Sequence, residues 1–512
     1  MQNEIKMKSE ENISLIKQLD SVFNPCSVAV VGASNRLGTW GFGVMSRLIN
    51  HPEIKIYPVN PNSSMIMGLN AYKKIGDISD PVEFAVLSVP PEKTPEIMQE
   101  CVNKGVKAAL VISGGLAESG EKGAKVEEKL LNIAKQGKIR FIGPNSMGHV
   151  NTSSSFSTLA WMADVKPGPV AFLSQSGTYG QRVVRTGIHY GIGFSKFVSN
   201  GNEADLYLED YLEYFAQDKE TKIIAAYVEG LREGRRFFEI ASKITCKKPI
   251  IIMKSGATKG SARAAKSHTA SMTGSDEIYD AMFKQAGVIR VEDEIELFDV
   301  VKVLLSIPLP KGDRVGLLTE GGGIGVVMAE ACEKVGLKLP YFSSKTTDKL
   351  KAWLPARCSH ANPTDITDLV TSGNLVIFSC LWTILEDPNV DMAVLLGGIG
   401  VSMYFTLMLE QSSVPNTTDF SKLLKSLKQE EKKNIDMMRE KINKLKKPIV
   451  YVSLMPSVIK EPDGFELLRE KGIPIFPNPI RAARALKHVV WYSNYLKGKG
   501  INIDKNVFLF TK

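Results

Sequence analysis

Paired cysteines are missing from this sequence. Its six cysteines are scattered over 512 residues, at positions 26, 101, 246, 332, 358 and 380, and no two form a Cys-x-x-Cys pair. Such spacing indicates neither a disulfide framework nor a zinc site. Unpaired cysteines suit a reducing compartment, so we expect a cytoplasmic protein.

Long hydrophobic runs are also missing. No stretch approaches the roughly 18 uninterrupted apolar residues of a membrane span. The first 23 residues are rich in charge and contain no apolar centre. We therefore expect no membrane association and no signal peptide.

The charge balance excludes one further class of protein. The formal net charge is +9 at pH 7, which fits a lysine-rich solvated surface or attraction of small polyanions such as nucleotides. No basic stripe carries interleaved aromatic residues, so we expect no nucleic-acid binding.

The arrangement of apolar runs predicts an α/β fold. Short β-branched runs, each followed by a glycine turn and an amphipathic helical pattern, repeat from residue 27 onward. This alternation predicts parallel sheets covered by helices on both faces, with ligands at the carboxyl ends of the strands. The length indicates about three domains, and Pro/Gly-rich segments at 164–170 and 306–314 read as the divisions. Residues 417–446 predict one long, charged helix with a solvated face.

The first glycine-rich turn has two interpretations. The stretch "VVGASNRLGTWGFG" places Gly32, Gly38, Gly41 and Gly43 between a strand and its helix. It is either a tight βα turn or a phosphate cradle at a helix N-terminus. It is not GxGxxG, and Asn60 follows the second strand where an NAD-binding domain has an acidic residue.

A second turn, "SQSGTYG" at 174–180, also has two interpretations. Its hydroxyls and amides, followed by a helix beginning near Thr178, form either an anion site or an ordinary Ser/Thr N-cap. The stretch "TEGGGIG" at 319–325 repeats this design.

His268 lies in "RAAKSHTASMTG", without a second histidine or a carboxylate nearby in sequence. Metal ligation lacks the usual HxxxH or HxxE pattern, so we expect no metal site. A surface histidine and a nucleophile that carries a phosphoryl group remain open. The second role needs a carboxylate on the other ring nitrogen, and Glu229, at the end of "AAYVEG", is placed to provide it.

Taken together, these motifs resemble those of the ADP-forming acyl-CoA synthetases, relatives of succinyl-CoA synthetase. The similarity covers about residues 22–495 and rests on "GASNRLGTWG", "YPVNPN", "SVPP", "GPNSMG", "FLSQSGTYG", "YVEGLREG" and "KSGATKGSARAAKSHTASMTG". The resemblance implies a Rossmann-like CoA-binding domain at 22–152. It also implies two flavodoxin-like, succinyl-CoA synthetase-like domains at 165–306 and 312–495.

The resemblance also implies a chemistry and a set of site residues. Acyl-CoA, ADP and phosphate would interconvert with acid, CoA and ATP through an acyl phosphate and a phosphohistidine. His268 matches the phosphohistidine, Glu229 the residue that orients it, and Asn145 a position near the acyl phosphate. The phosphate-binding turn matches Ser174, Gln175, Ser176, Gly177 and Thr178, and the expected CoA contacts are Gly32, Ala33, Ser34, Asn60, Pro61, Val89 and Pro90.

Some features depart from the family pattern. Ser146 stands where the family usually has Cys or Thr, and Trp161 and Met162 occupy the acyl-side loop, where substrate preference could be set. An ATP-grasp domain would need about 200 further residues, so we expect an α subunit. An ATP-grasp β subunit would then bring ADP or ATP and Mg²⁺, in a hetero-oligomer that could be α2β2.

Two other functions stay open at this point. A non-catalytic CoA-binding paralogue would keep the fold, although it would need neither His268 nor Glu229. An NAD-dependent oxidoreductase would use the first domain, against which the missing acidic residue counts. The sequence does not predict which organic acid is activated, the direction of the reaction, or a preference for ADP over GDP.

Overall fold

A computed structural model describes residues 15–161, 164–258, 260–261, 275–366, 374–410, 418–454 and 463–505. Three largely parallel sheets with flanking helices confirm the predicted α/β class. The chain divides into two compact units, Met1–Leu297 and Phe298–Lys512. The first unit contains two sheets and the second contains one. The predicted bounds of three domains remain a prediction.

The first sheet has five parallel strands in the order β2-β1-β5-β6-β7. Its strands are almost wholly buried because helices cover both faces, which is why they are continuous apolar runs rather than alternating ones. The strands are β1 (Ser27–Val31), β2 (Lys55–Val59), β5 (Phe84–Leu87), β6 (Ala108–Val111) and β7 (Arg140–Ile142), with a small hairpin of β3 (Met65–Ile66) and β4 (Leu69–Asn70). The helices are α1 (Trp40–Leu48), α2 (Thr94–Lys104) and α3 (Glu121–Gln136), and residues 15–23 are also helical.

The second sheet has the order β14-β13-β12-β10-β11-β8-β9. Two short antiparallel strands at one edge, β8 (His149–Asn151) and β9 (Phe156–Ser157), were not predicted. The parallel strands are β10 (Pro167–Ser174), β11 (Phe194–Ser199), β12 (Ile223–Val228), β13 (Ile250–Lys254) and β14 (Ile289–Val291). The helices are α4 (Gly177–His189), α5 (Leu208–Gln217), α6 (Gly234–Ile244), α7 (Asp276–Ala286) and α8 (Glu294–Ser306).

One predicted linker is partly a strand. Residues 164–170 contain two prolines and a glycine, yet β10 begins at Pro167. Proline is tolerated at the first residue of a strand, and the pairing with β11 is irregular between Pro167 and Val170.

The third sheet has five parallel strands in the order β16-β15-β17-β18-β19. They are β15 (Val315–Thr319), β16 (Thr364–Asp365), β17 (Met392–Leu396), β18 (Ile449–Val452) and β19 (Ile475–Phe476). The helices are α9 (Gly322–Lys334), α10 (Ser344–Trp353), α11 (Asn374–Leu385), α12 (Val401–Glu410), α13 (Thr418–Leu445), α14 (Asp463–Glu470) and α15 (Pro479–Gly498).

The long charged helix is confirmed as α13, but its predicted solvated face is only part of it. Ile435, Met438 and Ile442 are fully buried. Their spacing of three and four residues forms one apolar stripe, which anchors the helix, and the charged residue Glu431, one turn before Ile435, is buried as well.

The parallel strands of all three sheets share one winding. Numbered along the chain within each sheet, they lie in the order 2-1-3-4-5. In such a sheet the crossovers reverse direction beside the first strand, and a crevice opens at the carboxyl ends of the two central strands. The three crevices therefore lie between β1 and β5, between β10 and β12, and between β15 and β17.

Among the described residues, no helix is both long enough and apolar enough to span a bilayer. Over the same ranges, no three His, Cys, Asp or Glu side chains are grouped so that they could hold a metal ion.

Candidate active site

The first crevice contains a glycine that its backbone requires. Gly32 follows β1 with a φ of +88°, and a Cβ there would lie 2.0 Å from the Ser88 carbonyl oxygen. Only glycine permits this approach at that φ. The Thr39 hydroxyl caps α1 by accepting from the Phe42 N–H at 3.2 Å. A bare backbone and a helix start thus face the crevice, an arrangement that suits a phosphate-bearing ligand.

Asn60 and Ser34 shape the turns around Gly32. Asn60 donates from Nδ2 to the Ala33 carbonyl at 2.8 Å, so its side chain ties the turn after β2 to the turn after β1. The Ser34 hydroxyl accepts from the Arg36 N–H at 2.9 Å. Two of the predicted CoA-contacting side chains therefore also support the crevice itself.

The remaining predicted CoA contacts lie at the same edge of the sheet. Val89 follows β5, and its carbonyl accepts from the Ser113 hydroxyl at 2.5 Å. Pro61 and Pro90 are exposed. The fold thus brings all seven predicted residues to one edge, while contact with CoA stays a prediction.

Asn145, the predicted acyl-phosphate residue, follows β7 and is exposed with a φ of +58°. Its N–H donates to the Ser113 carbonyl at 2.9 Å, and its Nδ2 lies 3.4 Å from Asn202 Oδ1. The residue therefore connects the edge of the first sheet to the loop that follows β11.

Ser146, which departs from the family pattern, is only 2% exposed. Its hydroxyl donates to the Ser199 carbonyl at 2.6 Å and accepts from the Gly148 N–H at 3.0 Å. Both bonds hold loops together, so this hydroxyl faces away from solvent. The next residue, Met147, packs on Gly177, where a Cβ would lie 2.4 Å from Met147 Cγ.

The second crevice begins with the turn after β10. The Ser174 hydroxyl donates to the Ser176 carbonyl at 2.6 Å, and Ser176 caps α4 by accepting from the Tyr179 N–H. The helix begins at Gly177, one residue before the predicted Thr178, which is exposed. An anion at this turn would meet the N–H groups of the first helical turn, since the Ser174 hydroxyl is already used.

Glu229 lies across the second crevice, directly after β12. The Gln175 N–H donates to the Tyr227 carbonyl at 3.2 Å, so the ends of β10 and β12 lie side by side. The Gln175 side-chain oxygen accepts from the Glu229 N–H at 2.5 Å and the Gly230 N–H at 3.1 Å. The structure therefore joins two of the sequence-predicted segments through one amide side chain.

Lys254, at the end of β13, supports the same strand end. Its ammonium donates to the Glu229 carbonyl at 2.8 Å and lies 4.5 Å from the centre of the Tyr279 ring. Burial lowers the pKa of Lys254. Burial and the nearby Glu229 carboxylate raise the pKa of the Tyr227 hydroxyl. His268 belongs to the segment between β13 and α7 and lies outside the described residues.

Sequence analysis missed two buried polar residues beside this crevice. Asn200 is fully buried and Glu203 is 4% exposed, and Asn200 Nδ2 donates to Glu203 Oε1 at 2.6 Å. Burial raises the pKa of Glu203 to about 7, although hydrogen bonds from Asn200 and Gln175 oppose the shift. The available signal was "SNGNEAD", a run of polar residues directly after an apolar strand.

The third crevice repeats the turn of the second with different side chains. The Thr319 hydroxyl donates to the Gly321 carbonyl at 2.8 Å, as Ser174 does to Ser176. Glu320 lies opposite Gly397 and Gly398, whose φ angles are +83° and +80°. Burial raises the pKa of Glu320 against a hydrogen bond from the Gly398 backbone, and its Oε1 has no partner among the described residues.

Two regions of this chain match known protein families. Residues 26–152 match the CoA binding domain, and residues 167–304 match the succinyl-CoA ligase like flavodoxin domain. The α subunit of ADP-forming acetate–CoA ligase I from Pyrococcus furiosus is 36% identical over 482 residues, which cover 93% of this chain and 98% of that one. The chain belongs to this family.

Two further members agree. The α subunit of ADP-forming acetate–CoA ligase II from the same organism is 40% identical over 380 residues, covering 73% of this chain and 81% of that one. The dinucleotide-forming acetyl-coenzyme A synthetase 1 of Ca. Korarchaeum cryptofilum, solved in complex with phosphate and ADP, superposes with a TM-score of 0.78 at 31% identity. It covers 94% of this chain and 99% of the solved one. As a member of the ADP-forming CoA ligase α subunits, this chain is an acid–CoA ligase component with a CoA-binding domain.

Proposed function

We propose that this α subunit carries a phosphoryl group on His268 during the interconversion of acyl-CoA, ADP and phosphate with acid, CoA and ATP. The observation that supports this role is the geometry of the second crevice. There the helix-capping turn from Ser174 to Thr178 and the strand end at Glu229 are joined by the Gln175 side chain. This pairing supports an anion site and a histidine-orienting carboxylate at one edge of one sheet.

The proposed reaction has three steps. An oxygen of inorganic phosphate attacks the thioester carbon, and the CoA thiolate leaves to give an acyl phosphate. A neutral imidazole nitrogen of His268 then attacks phosphorus, and the carboxylate of the acid leaves. Finally, a β-phosphate oxygen of ADP takes the phosphoryl group, which restores the free histidine and yields ATP.

The described residues supply the electrostatics of the middle step. Negative charge on the transferring phosphoryl group is favoured by the N–H groups and dipole at the start of α4. The Glu229 carboxylate would accept from the other ring nitrogen of His268 and favour the tautomer that attacks. Asn145 would offer its amide to the acyl phosphate, since the side chain of Met147, two residues further on, packs against Gly177 at the start of α4.

The backbone of the first crevice supports CoA as its ligand. Gly32 leaves no room for a side chain, and the start of α1 lies beside it. We propose Gly32, Ala33, Ser34, Asn60, Pro61, Val89 and Pro90 as the contacts.

The nucleotide site belongs to a partner in this proposal. Membership among the α subunits implies a β subunit, and we propose that it is an ATP-grasp protein that binds ADP or ATP with Mg²⁺. We also propose that the two form a hetero-oligomer in the cytoplasm.

The organic acid would meet an aromatic surface. Trp161 is 39% exposed, and its ring centre lies 6.4 Å from that of Trp40 on α1. Both rings lie on the side of the first unit where α1 packs on β9. We propose that this pair influences which small acid is accepted; Met162 lies outside the described residues.

Phosphorylation of the purified chain tests the proposal. With an acyl-CoA and radiolabelled phosphate, the wild type should acquire an acid-labile, base-stable label that His268→Ala lacks. His189→Ala is the matched control, because His189 is exposed at the end of α4 and should keep full labelling. CoA binding without label, with the partner present, would favour a non-catalytic CoA-binding paralogue.

A further inference from the structure

The Gln175 side chain has no hydrogen-bonding capacity left for a substrate. Its oxygen accepts from the Glu229 and Gly230 N–H groups, and its nitrogen donates to the Gly230 carbonyl at 2.8 Å and to Glu203 Oε2 at 2.9 Å. An amide offers two donors and two acceptor sites, so these four bonds use it completely. The side chain, which is 9% exposed, therefore acts on the protein rather than on an anion.

Glu203 and the backbone of residues 229 and 230 together fix the orientation of this amide. Rotating the amide by half a turn would place its oxygen against the carboxylate and its nitrogen against two backbone N–H groups. Glu203 adds to the backbone preference because its carboxylate only accepts while it is ionised. Its other oxygen accepts from Asn200 Nδ2 at 2.6 Å, so the carboxylate is itself held on both sides.

We propose that Glu203 is a positioning residue that fixes the backbone position of Glu229 through the Gln175 amide. The inference rests on the proposed function, in which Glu229 orients His268. Within the described residues, the chain of contacts runs from Asn200 through Glu203 and Gln175 to the backbone of Glu229.

The loop that contains Asn200 and Glu203 also contacts the turn that leads to Asn145. The N–H groups of Asn202 and Ala204 donate to the carbonyls of Pro144 and Gly143 at 2.9 and 3.0 Å. Gly201 packs so closely that a Cβ would lie 2.1 Å from the Pro144 carbonyl oxygen. A displacement of the loop next to Asn145 would therefore displace Glu203 as well.

The first test replaces the carboxylate by an amide. In Glu203→Gln one side-chain atom changes from an acceptor to a donor, so either Gln175 or Asn200 faces a donor and loses its bond. We expect the rate of His268 labelling to fall about tenfold or more. Measurement at about pH 8.5 keeps the wild-type carboxylate ionised, since the pKa of Glu203 is about 7.

A rescue separates positioning from a general loss of structure. Combining Asn200→Asp with Glu203→Gln exchanges donor and acceptor and keeps the net charge. The new amide can then donate to the carboxylate introduced at position 200 and still accept from Gln175. We expect labelling within about threefold of wild type in the double variant, although each single variant is impaired. Impairment that simply adds in the double variant would overturn the inference.

Glu209→Gln is the matched control. Glu209 is fully buried nearby, and neither of its carboxylate oxygens has a hydrogen-bond partner among the described residues, so its side chain makes no hydrogen bond to Gln175. We expect labelling to stay within about twofold of wild type. A loss equal to that of Glu203→Gln would show that any buried carboxylate here matters equally, which would overturn the proposal.

Amide hydrogen exchange gives a readout that does not need the reaction. The Glu229 and Gly230 N–H groups should exchange about tenfold faster in Glu203→Gln, recover in the double variant and stay unchanged in Glu209→Gln. Unchanged exchange in Glu203→Gln would overturn the inference, whatever the labelling result. If the wild type took no label, the proposed function would fail, and the exchange data would still decide the positioning role.

Discussion

The second and third crevices have the same backbone but differ in where their carboxylates lie. Ser174 and Thr319 each bridge to the carbonyl two residues later, and Gly180 and Gly325, each six residues on, pack against them. The N–H groups of the next residues pair with the neighbouring strand in the same register. One turn design has therefore been used twice.

The two crevices differ in the side chains at corresponding positions. The second has Gln175 on the turn and Glu229 on the facing strand end, whereas the third has Glu320 on the turn and Gly398 at the place that corresponds to Glu229. In the second crevice a neutral amide holds the backbone of Glu229 at the edge. In the third, the carboxylate is half-buried and faces glycines. The fold thus supplies the helix start in both crevices, and the residues at these two positions decide where the carboxylate lies.

The largest effect should come from Glu229→Gln. An amide there cannot fix the tautomer of His268 or stabilise its charged form, so we expect the labelling rate to fall about a hundredfold. Glu320→Gln should change the same rate by less than about threefold. The labelling rates of both variants should be measured with the partner present. An equal fall in the two rates would contradict the proposed difference between the second and third crevices.

Next in size are the glycines that allow the turns to pack. Gly180→Ala would place a Cβ 2.6 Å from Ser174 Cβ, and Gly325→Ala would place one 2.8 Å from Thr319 Cγ2. Such overpacking costs about 1–3 kcal/mol of unfolding free energy, and urea denaturation would measure it for both variants.

Gly323→Ala provides the control for these two substitutions. Nothing lies within 4 Å of a Cβ at Gly323, on the first turn of α9. Alanine favours a helix by about 1 kcal/mol over glycine, so this variant should be as stable as the wild type or more so. Equal loss in all three variants would show that packing against the turns is not the cause.

The smallest effect concerns the pH dependence of Glu320. Burial raises its pKa in the folded chain, so the folded state holds its proton more tightly than the unfolded state does. The wild type therefore loses stability as the pH rises above the unfolded value of about 4.5, and Glu320→Gln does not. The Tm difference, variant minus wild type, should grow as the pH rises from about 4.5. A constant difference would mean that the carboxyl group is solvated.

Sequence patterns predicted the repeated βα units well and the edges of the sheets poorly. Strands such as Ser27–Val31 and Met392–Leu396 are apolar throughout because both faces are covered, and such runs are recognisable without a structure. The short strands His149–Asn151 and Phe156–Ser157 carry no such run, since they pair only at an edge.

Some residues of the candidate site could likewise be predicted from the sequence, and others could not. Residues directly after a strand, such as Gly32, Ser174 and Glu229, could be named from position alone, because parallel strands bring their carboxyl ends together. The tasks of Gln175 and Glu203 could not, because a side-chain hydrogen bond between segments 28 residues apart leaves no periodic trace. A polar residue in a Gly-rich turn looks the same whether it binds an anion or supports a neighbour.

The first unit has one core for its two sheets. Val28 and Val30 of the first sheet and Ala171 and Leu173 of the second belong to one cluster of buried residues. The His149 ring is buried between the sheets and bonds to the Val22 carbonyl at 2.8 Å, which fastens helical residues 15–23 to both. The half that resembles a CoA-binding domain and the half that bears Glu229 are therefore expected to melt in a single cooperative transition. A destabilising change on either side would lower the folded fraction of both halves together, and truncating the chain between the sheets would expose the apolar face of each.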